Sequence, residues 1–305
     1  MILRYLRYSL LAMGFPGLSL GCACGCGIFD VGTSSMFAGH AGGMVFVEYD
    51  FLDQSQNRSG TSSAPAADNP DKDIHSTFTT LGGQYQFNRS WGLTAELPYW
   101  QRDFQTTDAA TGQIVTFSHG AVGDIRIKAT YTGFSADMST GVTLGAKLAN
   151  GDSSYPNFDA DTEIGSGSTD ALLGVYHLGR LTTDSRWTYF AQGQWDQPIA
   201  HQANYRPGAE GVAVLGVYFE GWSTHAALKF SPLAQLRAAY RRPDGGVDGH
   251  GPDTGYSRLL VSPGVEVGKG KVRVYADVAL PLYTHAHGNQ LFAHEMWKLN
   301  ASYRF

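Results

Sequence analysis

Met296-Trp297-Lys298-Leu299-Asn300-Ala301-Ser302-Tyr303-Arg304-Phe305 is the stretch on which the fold turns. From Trp297 onward every second residue is apolar or aromatic, and Lys298, Asn300, Ser302 and Arg304 fall between them. Successive side chains of a strand point to opposite faces, so strict period two over ten residues reads as a β-strand with one apolar and one polar face. Alone, the segment also fits an edge strand of a soluble sheet. The choice depends on what precedes it.

The same alternation recurs back through the chain. It predicts strands at 44–52, 74–88, 91–103, 121–134, 139–149, 168–178, 187–197, 211–219, 224–241, 256–267 and 272–283, with the last at 291–305. Val45, Val47, Tyr49 and Phe51 share one face of the first; Ile125, Ile127, Ala129 and Tyr131 stand against Asp124, Arg126, Lys128 and Thr130 in the fourth. Connections alternate in length. Short ones fall at 88–90, 135–138, 179–186, 220–223 and 268–271; long ones, rich in Gly, Ser, Asp and Pro, fall at 53–73, 104–120, 150–167, 198–210, 242–255 and 284–290. Aromatics collect at the strand ends: Phe87, Trp91, Phe134, Trp187, Phe219 and Trp222 by the short turns, Phe51, Tyr99, Trp195, Tyr240 and Tyr283 at the opposite ends.

Soluble strands average about five or six residues, and most of these runs are long enough to cross a bilayer at a tilt. Charged residues are 16% of the chain, glycine is plentiful, and mean hydropathy is −0.20. Half of each transmembrane strand faces lipid and half a polar lumen, which gives this middling profile. The expectation is an all-β, closed antiparallel transmembrane barrel of about twelve strands in a bacterial outer membrane, with short turns periplasmic and long loops outside. A net charge of −5 with no basic run gives no reason to expect a nucleic-acid partner.

Residues 1–21 read as a signal peptide: Arg4 and Arg7 make a positive start, Leu10 to Leu20 an apolar core interrupted by Pro16 and Gly17, and Ser19 and Gly21 a small-residue cleavage site. Residues 22–43 form a cysteine-containing periplasmic lead-in, and 44–305 the barrel.

Three segments are similar to the family of outer-membrane transporters named for the MetA pathway of phenol degradation: Gly123-Asp-Ile-Arg-Ile-Lys-Ala-Thr-Tyr131, Leu144-Gly-Ala-Lys-Leu-Ala-Asn-Gly-Asp152, and Ile164-Gly-Ser-Gly-Ser-Thr-Asp-Ala-Leu-Leu-Gly-Val-Tyr176. Gly288-Asn-Gln-Leu291 resembles that family's lead into its final strand. The resemblance covers roughly 80–305. It departs where the family often has Pro-Thr-Gly and this chain has Ala149-Asn150-Gly151. The final strand resembles the closing strand of outer-membrane barrels, whose terminal aromatic is read by the insertion machinery. These resemblances imply a barrel that passes small molecules, with hydrophobic or aromatic compounds suggested by the family name.

Charges cannot face lipid cheaply, at about 2–4 kcal/mol for Arg or Lys at mid-membrane, so they are expected inside. The pore-lining candidates are Glu96, Asp124, Arg126, Lys128, Lys147, Arg237, Arg273 and Asp277. Glu48, Asp50, Arg102, Asp196, Lys229, Arg258 and Glu266 share their phase. They read either as ionic ladders bracing a narrow lumen or as a selectivity filter. Cys22, Cys24 and Cys26 read as the end of the leader, a lipidation site, or a soft-metal clip for Cu or Zn completed by Met36 or His40. His285 and His287 share a face of an extended segment and make a chelating pair. Asp159, Asp161 and Glu163 offer oxygens to Ca(II) without a full ligand pattern. The leading functional expectation is a channel for small solutes, partnered by outer-membrane lipid and needing no cofactor; the alternative is a metal-linked outer-membrane protein. A lipid hydrolase using Ser118-His119 or Thr284-His285 ranks last, since no nucleophile turn accompanies them.

Overall fold

The computed structural model describes residues 41–184, 186–220, 222–224 and 228–305. The leader, Cys22, Cys24, Cys26, Met36 and His40 lie outside the described residues. The strands are β1 (Gly42–Gly60), β2 (Ser62–Ser63), β3 (Asp71–Gln86), β4 (Trp91–Thr107), β5 (Ile114–Val122), β6 (Arg126–Tyr131), β7 (Thr140–Lys147), β8 (Thr169–Arg180), β9 (Trp187–Ala200), β10 (Glu210–Phe219), β11 (Trp222–Ser223), β12 (Lys229–Arg241), β13 (Tyr256–Lys269) and β14 (Val272–Arg304). Long strands pair antiparallel with their neighbours, and β14 returns to pair with β1 from Met44↔Arg304 upward, closing the ring.

β14 is one unbroken run of strand that crosses the wall twice. Residues 272–286 pair with β13 and 290–304 with β1, and the Arg304 amide donates to the Lys271 carbonyl at 3.0 Å. The chain therefore doubles back at Gly288, whose φ of +67° suits glycine. With β5 and β6 sharing one crossing and β14 making two, the ring formed by the described residues has twelve crossings, as expected.

Period-two alternation sets the two faces. In β1, Val45 and Val47 are each 47% exposed, whereas Met44 and Phe46 are buried inside with Asp50. Leu81, Leu97, Leu144, Leu173, Leu215, Leu236 and Leu299 continue the exposed apolar band. A band of that extent facing water would be an aggregation surface; facing lipid, it holds the barrel in the bilayer. Exposed Phe87, Trp91, Phe134 and Trp222 border it at the short-turn rim, and Tyr99, Tyr240 and Tyr283 at the other. The chain folds as an outer-membrane β-barrel.

Local chemistry fixes the tight turns. Asn88 Oδ1 accepts the amides of Ser90 (2.8 Å) and Trp91 (3.0 Å), closing the turn between β3 and β4. Gly270, at φ +58°, turns β13 into β14. Trp222 and Ser223, expected in the turn at 220–223, are instead strand: β11 pairs with the start of β12 through Trp222↔Phe230 and Ser223↔Lys229.

The long connections correct the sequence expectation. Three of the six, at 53–73, 104–120 and 284–290, are largely strand, because β1, β3, β4, β5 and β14 rise past the lipid band as paired hairpins. Once neighbouring strands supply partners, backbone pairing continues in water without an apolar face to announce it. The other three, at 150–167, 198–210 and 242–255, have no long strand.

Candidate functional site

Pro98 in β4 has no N–H to donate, and the wall answers with a bulge. Tyr99 pairs with Val122 and Glu96 with Arg126, so three residues, 123–125, oppose two, 97 and 98. The Gly123 amide still reaches the Pro98 carbonyl at 2.9 Å. The extra residue shifts the phase and leaves Asp124 buried in the wall, aimed at the loop between β7 and β8.

That loop, 148–168, turns into the barrel and is tied at both ends by Asp124. Its carboxylate accepts the Gly151 amide at 2.9 Å, the Ser166 amide at 2.8 Å and the Ser166 hydroxyl at 2.6 Å. Gly151 and Gly165 meet backbone to backbone; a Cβ on Gly165 would lie 2.4 Å from the Gly151 carbonyl carbon. Deeper in, buried Arg102 donates to Ser76 Oγ at 3.0 Å and to the Thr162 carbonyl. Phe158 packs in a buried cluster with Ile74, Phe104 and Leu291. The His119 ring stacks on Tyr155 at 4.1 Å and hydrogen-bonds Asp152 at 2.8 Å, a contact that holds the Asp152 carboxyl below its usual range.

Two cavities meet at this loop. A polar vestibule of about 310 Å³ lies among the long loops, with Asp159, Asp248 and His250 on its wall. It shares Ala160, Glu163, Ser166 and Tyr205 with a lumen cavity of about 100 Å³. Burial pushes Glu163 up to about 7, against the pull of Arg102. Burial also raises Asp161 well above the usual carboxylate range, reinforced by Asp244, Asp159 and Asp71. Toward the short-turn rim the interior becomes apolar, with Tyr176, Phe190, Tyr218, Leu233 and Tyr275 in one buried cluster.

Asp124, Arg126 and Lys147, all expected in the pore, line the lumen cavity together. Lys147 pairs with buried Asp170 on the next strand. Glu96 and Lys128 face inward and bind each other at 2.6 Å. Arg237 and Asp277 form a separate buried network with Gln235 and Tyr275, and Arg273 lies 3.7 Å from Glu266. Removing one partner of a buried pair costs about 3–5 kcal/mol, because the other charge is left buried and unpaired.

Asp159, Asp161 and Glu163 fall within the inward loop, spread between vestibule and cavity. The His285 and His287 rings stand 5.6 Å apart. The three-residue group with metal-holding spacing among the described residues is instead Asp53, Asp73 and His75. Ser118 pairs with Asp103 while the next residue, His119, turns to Asp152, so alternation sends the two to opposite faces and they do not form a nucleophile–base pair. Sequence reasoning missed Asp170, Tyr205, Glu210 and Arg241. Arg241 was within reach, since it extends the inward phase of Gln235, Arg237 and Ala239; Tyr205 lies on a loop with no period to mark it.

A closed barrel with an apolar outer band and a lumen narrowed by an inward loop defines an outer-membrane β-barrel. No family model matches the chain, and no curated protein matches it. Among solved structures it is similar to an outer-membrane channel of Pseudomonas putida F1, with a TM-score of 0.66 and 14% identity over 90% of this chain and 100% of that one. It also matches the β domain of the Bordetella autotransporter BrkA (TM-score 0.49, 14% identity, 87% of this chain and 100% of that one). A third match is the CymD monoaromatic hydrocarbon channel (TM-score 0.45, 9% identity, 87% and 89%). At such identities the first likeness speaks to the fold.

Proposed function

We propose that this protein is an outer-membrane channel that passes small molecules through a narrow, charged lumen, with its short turns in the periplasm and its long loops outside. The observation that carries the reading is the junction of vestibule and lumen cavity at Ala160, Glu163, Ser166 and Tyr205. A barrel filled only for rigidity has no use for a polar antechamber opening onto a charged interior. Twelve strands fall between the filled eight-stranded and the open sixteen-stranded barrels, which suits a pore for single small solutes. The fold of the Pseudomonas putida channel supports the same reading, as does the resemblance to the phenol-pathway transporters. Planar-bilayer recording of the purified protein tests it. Discrete low-conductance steps are expected; their absence at every voltage, with the barrel folded, would overturn the proposal.

A further inference from the structure

Eight carboxylates and three cations line the lumen cavity. Four of the carboxylates are engaged by the protein itself. Glu48 accepts Lys298 Nζ at 2.8 Å, Asp124 holds the loop, Asp170 pairs with Lys147, and Glu210 accepts the Tyr256 hydroxyl at 2.7 Å. Of the cations, Lys147 is thereby occupied, and Arg241 is held by Asp244 at 2.8 Å.

The other four are Asp50, Asp161, Glu163 and Asp196, and buried oxygens of Asp50, Glu163 and Asp196 find no hydrogen-bond partner. Asp50 is only 2% exposed, yet its Oδ1 has no hydrogen-bond partner. The nearest ammonium, Lys298 Nζ, is 3.8 Å away and donates to Glu48. Asp161 makes neither hydrogen bond nor ion pair among the described residues, and three of the four charges acting on it are other carboxylates. For Asp50 a buried acceptor without a donor is costly, and more so when charged, whereas Asp161 is half-buried. In the cavity lining carboxylates thus outnumber cations eight to three, and Asp50 Oδ1 is left without a donor.

Its other walls are aromatic. Phe78 and Trp100 meet edge to face at 4.6 Å, and Tyr205 stands at the junction with the vestibule. Rings beside carboxylates favour an organic cation, held by charge on one side and by a ring face on the other. A bare metal ion fits poorly. Among the described residues no three cavity carboxylates bring oxygens within 4.8 Å of one another; the group that meets that spacing is Asp53, Asp73 and His75.

We propose that the cavity and its vestibule bind a small organic cation, a primary ammonium or guanidinium on a short carbon chain. The lumen cavity of about 100 Å³ takes the cationic head, and the vestibule of about 310 Å³ takes the chain. The inference rests on the channel reading and names the class of solute.

Titration calorimetry on the detergent-solubilised barrel tests it with 1,4-diaminobutane and the uncharged 1,4-butanediol. The diamine is expected to bind at least about tenfold more tightly than the diol, and Asp50→Asn with Asp161→Asn to weaken it by about tenfold or more. Asp161→Asn alone, in the loop, gives the same direction where the double variant fails to fold. Equal binding of diamine and diol, no binding of either, or an unchanged constant in Asp161→Asn overturns the cation site. Bilayer recordings separate the two readings. Diamine binding without conductance removes the channel and leaves the site; conductance that diamine and diol affect alike removes the site and leaves the channel.

Discussion

On one side of the barrel, β1, β3 and β4 run 19, 16 and 17 residues and carry the wall past the lipid band; on the other, β6 and β7 run 6 and 8. A membrane-crossing strand needs about 9–11 residues. The first group overshoots; β7 falls short, and β6 is only the part of its crossing below the bulge, with β5 above it. Where the strands overshoot, Gln54, Gln56 and Arg58 keep pairing with β14, and the polar hairpin stands in water. Where they fall short, β5 is left pairing with β4 alone, a sheet edge with backbone groups to satisfy. The inward loop covers it: the Asp152 amide reaches the Val122 carbonyl at 3.3 Å, and the Leu148 amide reaches Ile125 at 2.8 Å. The gap in the wall and the plug in the lumen are thus one feature, produced by short strands beside a bulge.

The largest test removes the plug. Gly151 and Gly165 already touch, so deleting 152–164 joins backbone that is close in space. The barrel is expected to remain heat-modifiable and membrane-inserted, with single-channel conductance raised several-fold. Shortening the raised hairpin by replacing 56–70 with a tight turn is expected to leave conductance unchanged. Equal effects from the two deletions would erase the functional distinction between the two regions.

Asp124→Ala is the next step down. It removes three hydrogen bonds to a buried carboxylate, each worth about 1.5–3 kcal/mol, and all three hold the loop rather than the wall. Labelling of an Ala160→Cys reporter by a small maleimide is expected to rise sharply, with conductance between wild type and the loop deletion. If labelling stays at the wild-type level, Arg102 and the Phe158 cluster suffice, and the bulge at Asp124 is a wall feature only.

Why the two regions were not equally legible follows from their residues. Alternation marked every crossing, because lipid and lumen enforce it side chain by side chain, and it placed Arg102, Asp124 and Lys147 on the inward phase. It faded at Gln54 and beyond, where water bathes both faces and pairing depends on strands distant in sequence. The bulge had a local cue in Pro98, but its register depends on Val122 and Arg126 across the sheet. Arg102 donates to the carbonyl of Thr162. A backbone acceptor leaves no mark on the sequence, so an inward arginine was readable while its task of pinning a loop was not. Asp124 was likewise chosen for its charge, whereas its observed partners are two amides and a hydroxyl.

The smallest expected effect is one of pH. Glu163 sits where vestibule and cavity join, and burial raises its carboxyl from 4.5 to about 7. The seated loop therefore holds this proton more tightly than a released loop would. Its contribution to seating is fully present below about 4.5 and is lost as pH rises through about 7. Asp159 and Asp161, also raised by burial, act in the same direction, while Asp152, lowered by its hydrogen bond to His119, acts only in acid. Measured against an exposed reference cysteine, Ala160→Cys labelling is thus expected to climb modestly between pH 6 and 8, the window that brackets the Glu163 value. Glu163→Gln should flatten that climb without abolishing it, because the two aspartates remain. The raised hairpin provides that reference, since a cysteine at exposed Ser59 reports only the general gain in thiolate with pH. A climb that Glu163→Gln leaves untouched, or a fall in its place, would show that loop seating is not governed by this carboxyl, leaving Asp124, Arg102 and the Phe158 cluster to hold the loop in the lumen.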